Sequence, residues 1–368
     1  MVANFPKVIL ISQLPLPYPK IGSWTTLYKN YLESNHQIDY IICEQPEKRF
    51  ESVIYTLVEN TLQAKIIRKW KKNRYMGYLN ALEELLQQDQ KYIIQIVDNY
   101  GIVKPLLKFL SESGFRQHCY LQFCYHGFPP FYENFAGRWF FEAIDEMIVL
   151  THDSYKAHKN YYTILPTRFS VLHNGVDTKK FYPIATDARQ LLKEEYGVIN
   201  KKVFVWCAQD RPKKGLHIVL DAWKSVIEKR NDCVLWIIGT EPKEAMEGVR
   251  YFGKIPNDEL PKYLQAADCY LFSTLCHEGF GLSLIEALHC GNYCIASALG
   301  GVPEVLQYGK FGKLIESPHF VSEWEKAMLD FAENSEQTFV FDRSLYTTEN
   351  WNTGMNTIIA SAQKKMAQ

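Results

Sequence analysis

At 368 residues the chain exceeds what one hydrophobic core usually serves, so two domains are expected. A hydrophobic fraction of 47% and an aromatic fraction of 14% exclude a disordered chain. Lys plus Arg and Asp plus Glu both number 41, and this zero net charge argues against nucleic acid as a partner.

Short apolar runs alternate with helical patterns throughout. In the first half, residues 8–12, 38–43, 92–97, 119–124 and 147–150 read as strands, and residues 25–32 as a helix. In the second half the strand runs are 203–207, 233–238, 249–252, 269–272 and 293–296, with helical patterns over 216–227 and 258–267. Uninterrupted apolar strands belong to parallel sheets covered on both faces. The rhythm predicts an α/β protein of two doubly wound, Rossmann-like parallel-sheet domains. The pattern breaks near Pro183, which places the domains at 1–180 and 181–345; a final helical segment over 346–368 has no strand after it.

Nine cysteines are scattered without a Cys-x-x-Cys pair, and several stand in apolar runs. Free, buried thiols of that kind point to a reducing compartment, the cytoplasm. The N-terminal apolar run is too short for a signal peptide, and no stretch reaches the ~18 apolar residues of a spanning helix.

Ligands of doubly wound sheets sit on the loops at the carboxyl ends of the strands. The loop after residues 269–272 ends in Glu278, continues through Gly279, Phe280 and Gly281, and passes into a helix with Leu282 and Glu286 on one face. Glycines let backbone N–H groups approach a ligand, and a helix N-terminus favours phosphate. A carboxylate at either flank can accept hydrogen bonds from a diol. Either glutamate alone would also suit simple stabilisation of the helix dipole.

Two glutamates bracketing Gly-Phe-Gly resemble the donor site of retaining GT-B glycosyltransferases, glycosyltransferase family 4. Further segments agree with that resemblance: Asn174-Gly-Val-Asp177 with Phe181 and Pro183, Gly300-Gly-Val-Pro-Glu304 with Gly309 and Gly312, and Lys214-Gly215. The resemblance covers the C-terminal half almost continuously and the N-terminal half chiefly at Gly22 and His126-Gly127. It implies two domains facing a central cleft, with the C-terminal helix returning to the N-terminal, acceptor-binding domain.

Carried over by position, Lys214 neutralises the donor diphosphate and backbone amides of Gly279, Phe280, Gly281 and Leu282 hold phosphate or sugar oxygens. Glu286 binds the ribose, Glu278 the transferred sugar, Ile255 the nucleobase through backbone groups, and Gly22 lies near the diphosphate. His126 faces the donor sugar, although a strand-end histidine is also often structural. Asp98 and Asn99 are acceptor candidates. The family's usual arginine is replaced by Gln209, and Arg211 is expected to supply the second positive charge. With no Asp-x-Asp triplet, fixed cations would absorb the leaving-group charge, so neither metal nor cofactor is expected.

The expected reaction is retaining, front-face transfer from a UDP-sugar, or secondly a GDP-sugar, to a glycan or lipid-linked acceptor. An epimerase or phosphorylase on this fold, and a silent sugar-nucleotide binding module, remain alternatives. A dehydrogenase is disfavoured because no Gly-x-Gly-x-x-Gly follows the first strand. Lys65, Arg68, Lys69, Lys71, Lys72 and Arg74, interleaved with Ile66, Ile67 and Trp70, form either a membrane-surface patch on the cytoplasmic face or a solvated helix face.

Overall fold

The computed structural model describes residues 5–19, 22–59, 61, 73–130, 137–161, 165–242, 245–334 and 340–368. The chain divides into two compact units, one formed by Met1–His173 with Thr348–Gln368, the other by Asn174–Thr347. These divisions fall a few residues from the sequence-derived limits of 180 and 345.

The first unit is built on seven parallel strands: β1 Lys7–Ile11, β2 Tyr40–Cys43, β3 Ile54–Leu57, β4 Tyr92–Val97, β5 Cys119–Tyr125, β6 Glu146–Val149 and β7 Arg168–Val171. Their order is β3-β2-β1-β4-β5-β6-β7. Successive side chains of a strand face opposite ways. Ile9 and Ile11 therefore pack with Ile94, Ile96, Leu121 and the helical residues Ile102, Val103 and Leu106. Val8 and Leu10 pack on the other face with Ile93, Tyr28, Tyr31, Trp351 and Met355. Both faces are apolar because both are covered by helices.

The C-terminal helix Thr348–Ala367 belongs to this second face. The Trp351 ring meets Tyr28 and Tyr31 edge-on, each at 5.4 Å between centroids. Tyr31 Oη donates to Asn356 Oδ1 at 2.5 Å. The expected return of the last helix to the N-terminal unit is thus observed.

The second unit holds six parallel strands: β8 Lys202–Cys207, β9 Cys233–Ile238, β10 Val249–Gly253, β11 Cys269–Phe272, β12 Tyr293–Ser297 and β13 Gly312–Ile315. The order β10-β9-β8-β11-β12-β13 reverses direction between β8 and β11, so the loops that follow these two neighbours diverge at a topological switch point. Trp206, Trp223, Trp236 and Trp324 are all fully buried in this unit.

Sequence reading missed β3, β7 and β13, which are edge strands with mixed polarity. It also started β6 one residue late, because Glu146 looks like a loop residue. Its carboxylate is in fact buried, accepting from Gln122 Nε2 at 2.8 Å and Ser170 Oγ at 2.5 Å. A charge is tolerated there because donors saturate it. All nine cysteines are free, seven of them buried. Among the described residues, no helix is long and apolar enough to cross a membrane. Of the basic segment, residues 65–72 lie outside the described residues.

Candidate functional site

The loops after β8 and β11 are tied together by their backbones. The Pro212–Lys214 turn presents the Lys213 carbonyl to the Leu275 N–H at 2.7 Å. Ser273 Oγ donates to the Lys214 carbonyl at 2.9 Å and accepts the buried Trp206 Nε1–H at 3.0 Å. Gly215, at φ +71°, lies so close to this seam that a Cβ would stand 2.0 Å from the Ser273 carbonyl oxygen. Only glycine permits both the left-handed turn and that approach.

The seam brings together two residues that are distant in sequence. Lys214 Nζ lies 2.8 Å from Glu278 Oε2, and both side chains are about a quarter exposed, at 24% and 25%. Thr274 Oγ1 lies 3.3 Å from the same carboxylate oxygen. Glu278 is also fixed from below: its carbonyl accepts the Gly301 N–H at 2.8 Å, and its backbone bridges to Gly300. Gly300 adopts φ +68°, and a Cβ there would stand 2.3 Å from the Glu278 carbonyl oxygen. A charged pair is therefore mounted on rigid backbone at the switch point, with its polar heads accessible.

Beyond Glu278, Gly279 and Phe280 are buried, and the Phe280 ring packs edge-on against Tyr346 at 5.3 Å. That ring anchors the loop; only backbone groups of this residue can serve a ligand. Gly281 caps the helix Leu282–His289. The Leu284 and Ile285 N–H groups donate to the Gly281 carbonyl at 3.0 and 3.4 Å, so the N–H groups of Leu282 and Ser283 at the start of the helix are the local source of anion affinity.

Glu286 lies one turn into this helix. It keeps some surface in contact with water, yet burial pushes its carboxyl up to about 7, with the Lys180 ammonium pulling the other way. No hydrogen-bond donor serves this carboxylate among the described residues. An enclosed, unserved acceptor suits a ligand that brings its own donors.

Arg211 and Gln209 are both exposed, and Arg211 Nη2 donates to Gln209 Oε1 at 2.7 Å. Arg211 thus neighbours the position left by the missing arginine, but its guanidinium is engaged by that same glutamine. Ile255, half-buried, follows β10, where Gly253 at φ +61° turns the chain. Lys180 and Thr274 went unremarked in the sequence. Thr274 stands in the motif's own loop and was within reach; Lys180, held by Asp258 at 2.7 Å, carries no local signal.

In the other unit, Gly22 caps the helix Ser23–Leu32, and its carbonyl accepts from Thr25 Oγ1 and Thr26 Oγ1. Asp98 directly follows β4 and His126 directly follows β5; the His126 N–H donates to Asp98 Oδ1 at 2.8 Å. Asn99 is 1% exposed, a poor position for direct acceptor contact.

Known proteins resemble this chain in sequence and in fold. Residues 201–334 match the family model described as glycosyl transferases group 1. N-acetyl-alpha-D-glucosaminyl L-malate synthase of Bacillus anthracis is 24% identical over 330 residues, covering 81% of this chain and 82% of that protein. A GDP-mannose-dependent alpha-(1-6)-phosphatidylinositol monomannoside mannosyltransferase of Mycolicibacterium smegmatis is 30% identical over 161 residues, 39% of this chain and 41% of that one. Among solved structures, HepE of Anabaena in complex with UDP and glucose superposes with a TM-score of 0.65 at 15% identity, covering 98% of each chain.

Proposed function

This chain is a GT-B glycosyltransferase carrying a group 1 domain, and from that premise we propose that it is a retaining enzyme using a nucleoside-diphosphate sugar. The observation that carries the reading is the Lys214–Glu278 pair at the β8/β11 switch point, with the enclosed Glu286 carboxylate on the adjoining helix. Lys214 meets the donor diphosphate, which displaces Glu278 from the ammonium and frees it for sugar hydroxyls. Glu286 accepts from the ribose diol, and the N–H groups from Gly279 to Leu282 take phosphate oxygens.

In the transfer step the bond from the anomeric carbon to the phosphate oxygen breaks, and a bond to the acceptor oxygen forms on the same face. The acceptor proton passes to the leaving phosphate. Charge growing on that phosphate is met by Lys214 and the helix N-terminus, fixed groups that need no reorganisation. Arg211 adds a second cation if donor binding draws it from Gln209. Metal-independent turnover follows from this assignment.

UDP-sugar is the favoured donor and GDP-sugar the second. The first is supported by the UDP complex of the Anabaena neighbour, the second by the name of the mycobacterial relative. The phosphatidylinositol monomannoside in that relative's name also supports a lipid-linked or glycan acceptor for this chain, with residues 65–74 resting on the anionic lipid surface. The test is turnover with a panel of nucleotide sugars in excess chelator, with NMR of the product. Retained activity and an unchanged anomeric configuration support the proposal; inversion, or activity abolished by chelation and restored by a divalent ion, defeats it.

A further inference from the structure

The turn that carries Lys180 is pinned at both ends. Asp177 fixes its start, accepting the Lys179 N–H through Oδ1 and the Phe181 N–H through its carbonyl, each at 2.9 Å. Phe181 is buried, and the Tyr182 carbonyl accepts Gln265 Nε2 at 2.9 Å. The segment then runs along the end of the helix Leu282–His289. The Tyr182 backbone hydrogen-bonds the Cys290 thiol, and a Cβ on Gly291 would meet the Pro183 Cβ at 3.5 Å. This register sets Lys180, two residues before Tyr182, toward Glu286, one helical turn before Cys290.

Lys180 is the one cation among the described residues that acts on the Glu286 carboxylate. Cys207, Tyr270 and Cys290, the other titratable groups around it, keep their protons at neutral pH because burial disfavours their anions. Yet the ammonium is not given to Glu286 alone. It donates to Asp258 Oδ1 at 2.7 Å, with the Lys180 side chain 23% exposed and that of Asp258 95%. Asp258 stands three residues after Ile255, read above as the nucleobase contact.

We propose that Lys180 is a positioning residue of the donor site, its ammonium shared between Asp258 beyond the base loop and Glu286 at the ribose, so that Glu286 stays an ionised acceptor for the diol. The inference rests on the reading of Glu286 as the ribose ligand. An ionised carboxylate accepts from both hydroxyls, whereas a protonated one carries a donor of its own. Burial opposes the ionised form and the ammonium favours it. Asp258 weakens that support by drawing the ammonium away. The two residues therefore act on Glu286 in opposite senses.

The experiment titrates the full chain with UDP and GDP by calorimetry from pH 5.5 to 9 and locates the pH at which affinity is half lost. Lys180→Met should move that midpoint up by roughly one pH unit, the scale of one neighbouring charge, and Lys180→Arg should restore it. Asp258→Asn, at so exposed a side chain, leaves folding intact and should move the midpoint down. General damage to the site would weaken binding at every pH and would not separate the two variants in direction. Carboxyl 13C NMR of Glu286, assigned with Glu286→Gln, follows the same ionisation without nucleotide. A midpoint unmoved in Lys180→Met, or moved the same way by both variants, overturns the proposal. If the NMR midpoints move as expected while affinity ignores them, the ribose reading of Glu286 falls and the donor role of Lys180 falls with it. If neither nucleotide binds the wild type, the donor reading fails, and the NMR midpoints still decide whether Lys180 acts on Glu286.

Discussion

Replacing Glu286 with glutamine should stabilise the C-terminal unit above neutral pH while impairing donor binding. The carboxyl's ordinary value is 4.5, and burial raises it to about 7. Because the folded value is raised, the folded protein holds the proton between pH 4.5 and about 7 while the unfolded chain releases it. Stability contributed by the protonated carboxyl is present below that window and declines through it as pH rises. At about 1.4 kcal/mol per pKa unit, the cost above pH 7 has a ceiling on the order of 3 kcal/mol, because the residue keeps part of its surface in water. For a unit of this size that corresponds to roughly 6–12 °C in Tm. Differential scanning fluorimetry of both proteins from pH 4 to 9 is the assay. The Gln variant should melt higher by several degrees at pH 8, and the gap should close by pH 4. A gap that does not change with pH, or a Gln variant that is less stable at pH 8, would refute the account of this carboxylate. In parallel, wild-type affinity for the nucleotide should weaken as pH falls from 8 to 6, since the ribose diol needs the ionised acceptor.

Lys214→Ala should weaken nucleoside-diphosphate binding by about tenfold or more, read by calorimetry, while a stability cycle with Glu278→Ala should give a coupling of only about 1 kcal/mol for so accessible a pair. Gly300→Ala places a Cβ 2.3 Å from the Glu278 carbonyl oxygen at a left-handed position; urea unfolding should show a loss of about 2 kcal/mol or more, with turnover reduced as Glu278 shifts. Trp351→Ala should cost about 3–5 kcal/mol by removing the ring that packs against Tyr28 and Tyr31, and the loss should appear in the melting of the N-terminal unit.

Much of this arrangement was legible because the buried strands are apolar on both faces. Tyr92–Val97, Cys233–Ile238 and Cys269–Phe272 were read to the residue. Edge strands such as Arg168–Val171 were not, since half of their surface faces solvent or polar neighbours. Glu146 shows the limit of polarity as a guide, because hydrogen bonds from Gln122 and Ser170 make a buried carboxylate acceptable. At the site, the spacing of Glu278, the glycines and Glu286 announced a ligand-binding loop. The sequence could not announce that Lys214 and Glu278 touch, since their meeting depends on β8 and β11 being neighbours across the switch point. Nor could it reveal that Asp98 bonds to the backbone and faces the ring of His126. Such pairings are properties of strand order, which residue periodicity does not encode.

The central claim is that Lys214, Glu278 and Glu286 divide a nucleotide sugar between them. Calorimetric titration of UDP, GDP and their sugars into wild type and Glu278→Ala tests it most directly. The account predicts that one nucleoside diphosphate binds both proteins comparably, and that its sugar conjugate binds the wild type more tightly than the nucleotide alone. That gain should be lost in Glu278→Ala. Failure of every nucleotide to bind, or a sugar-dependent gain that survives the loss of Glu278, would contradict it.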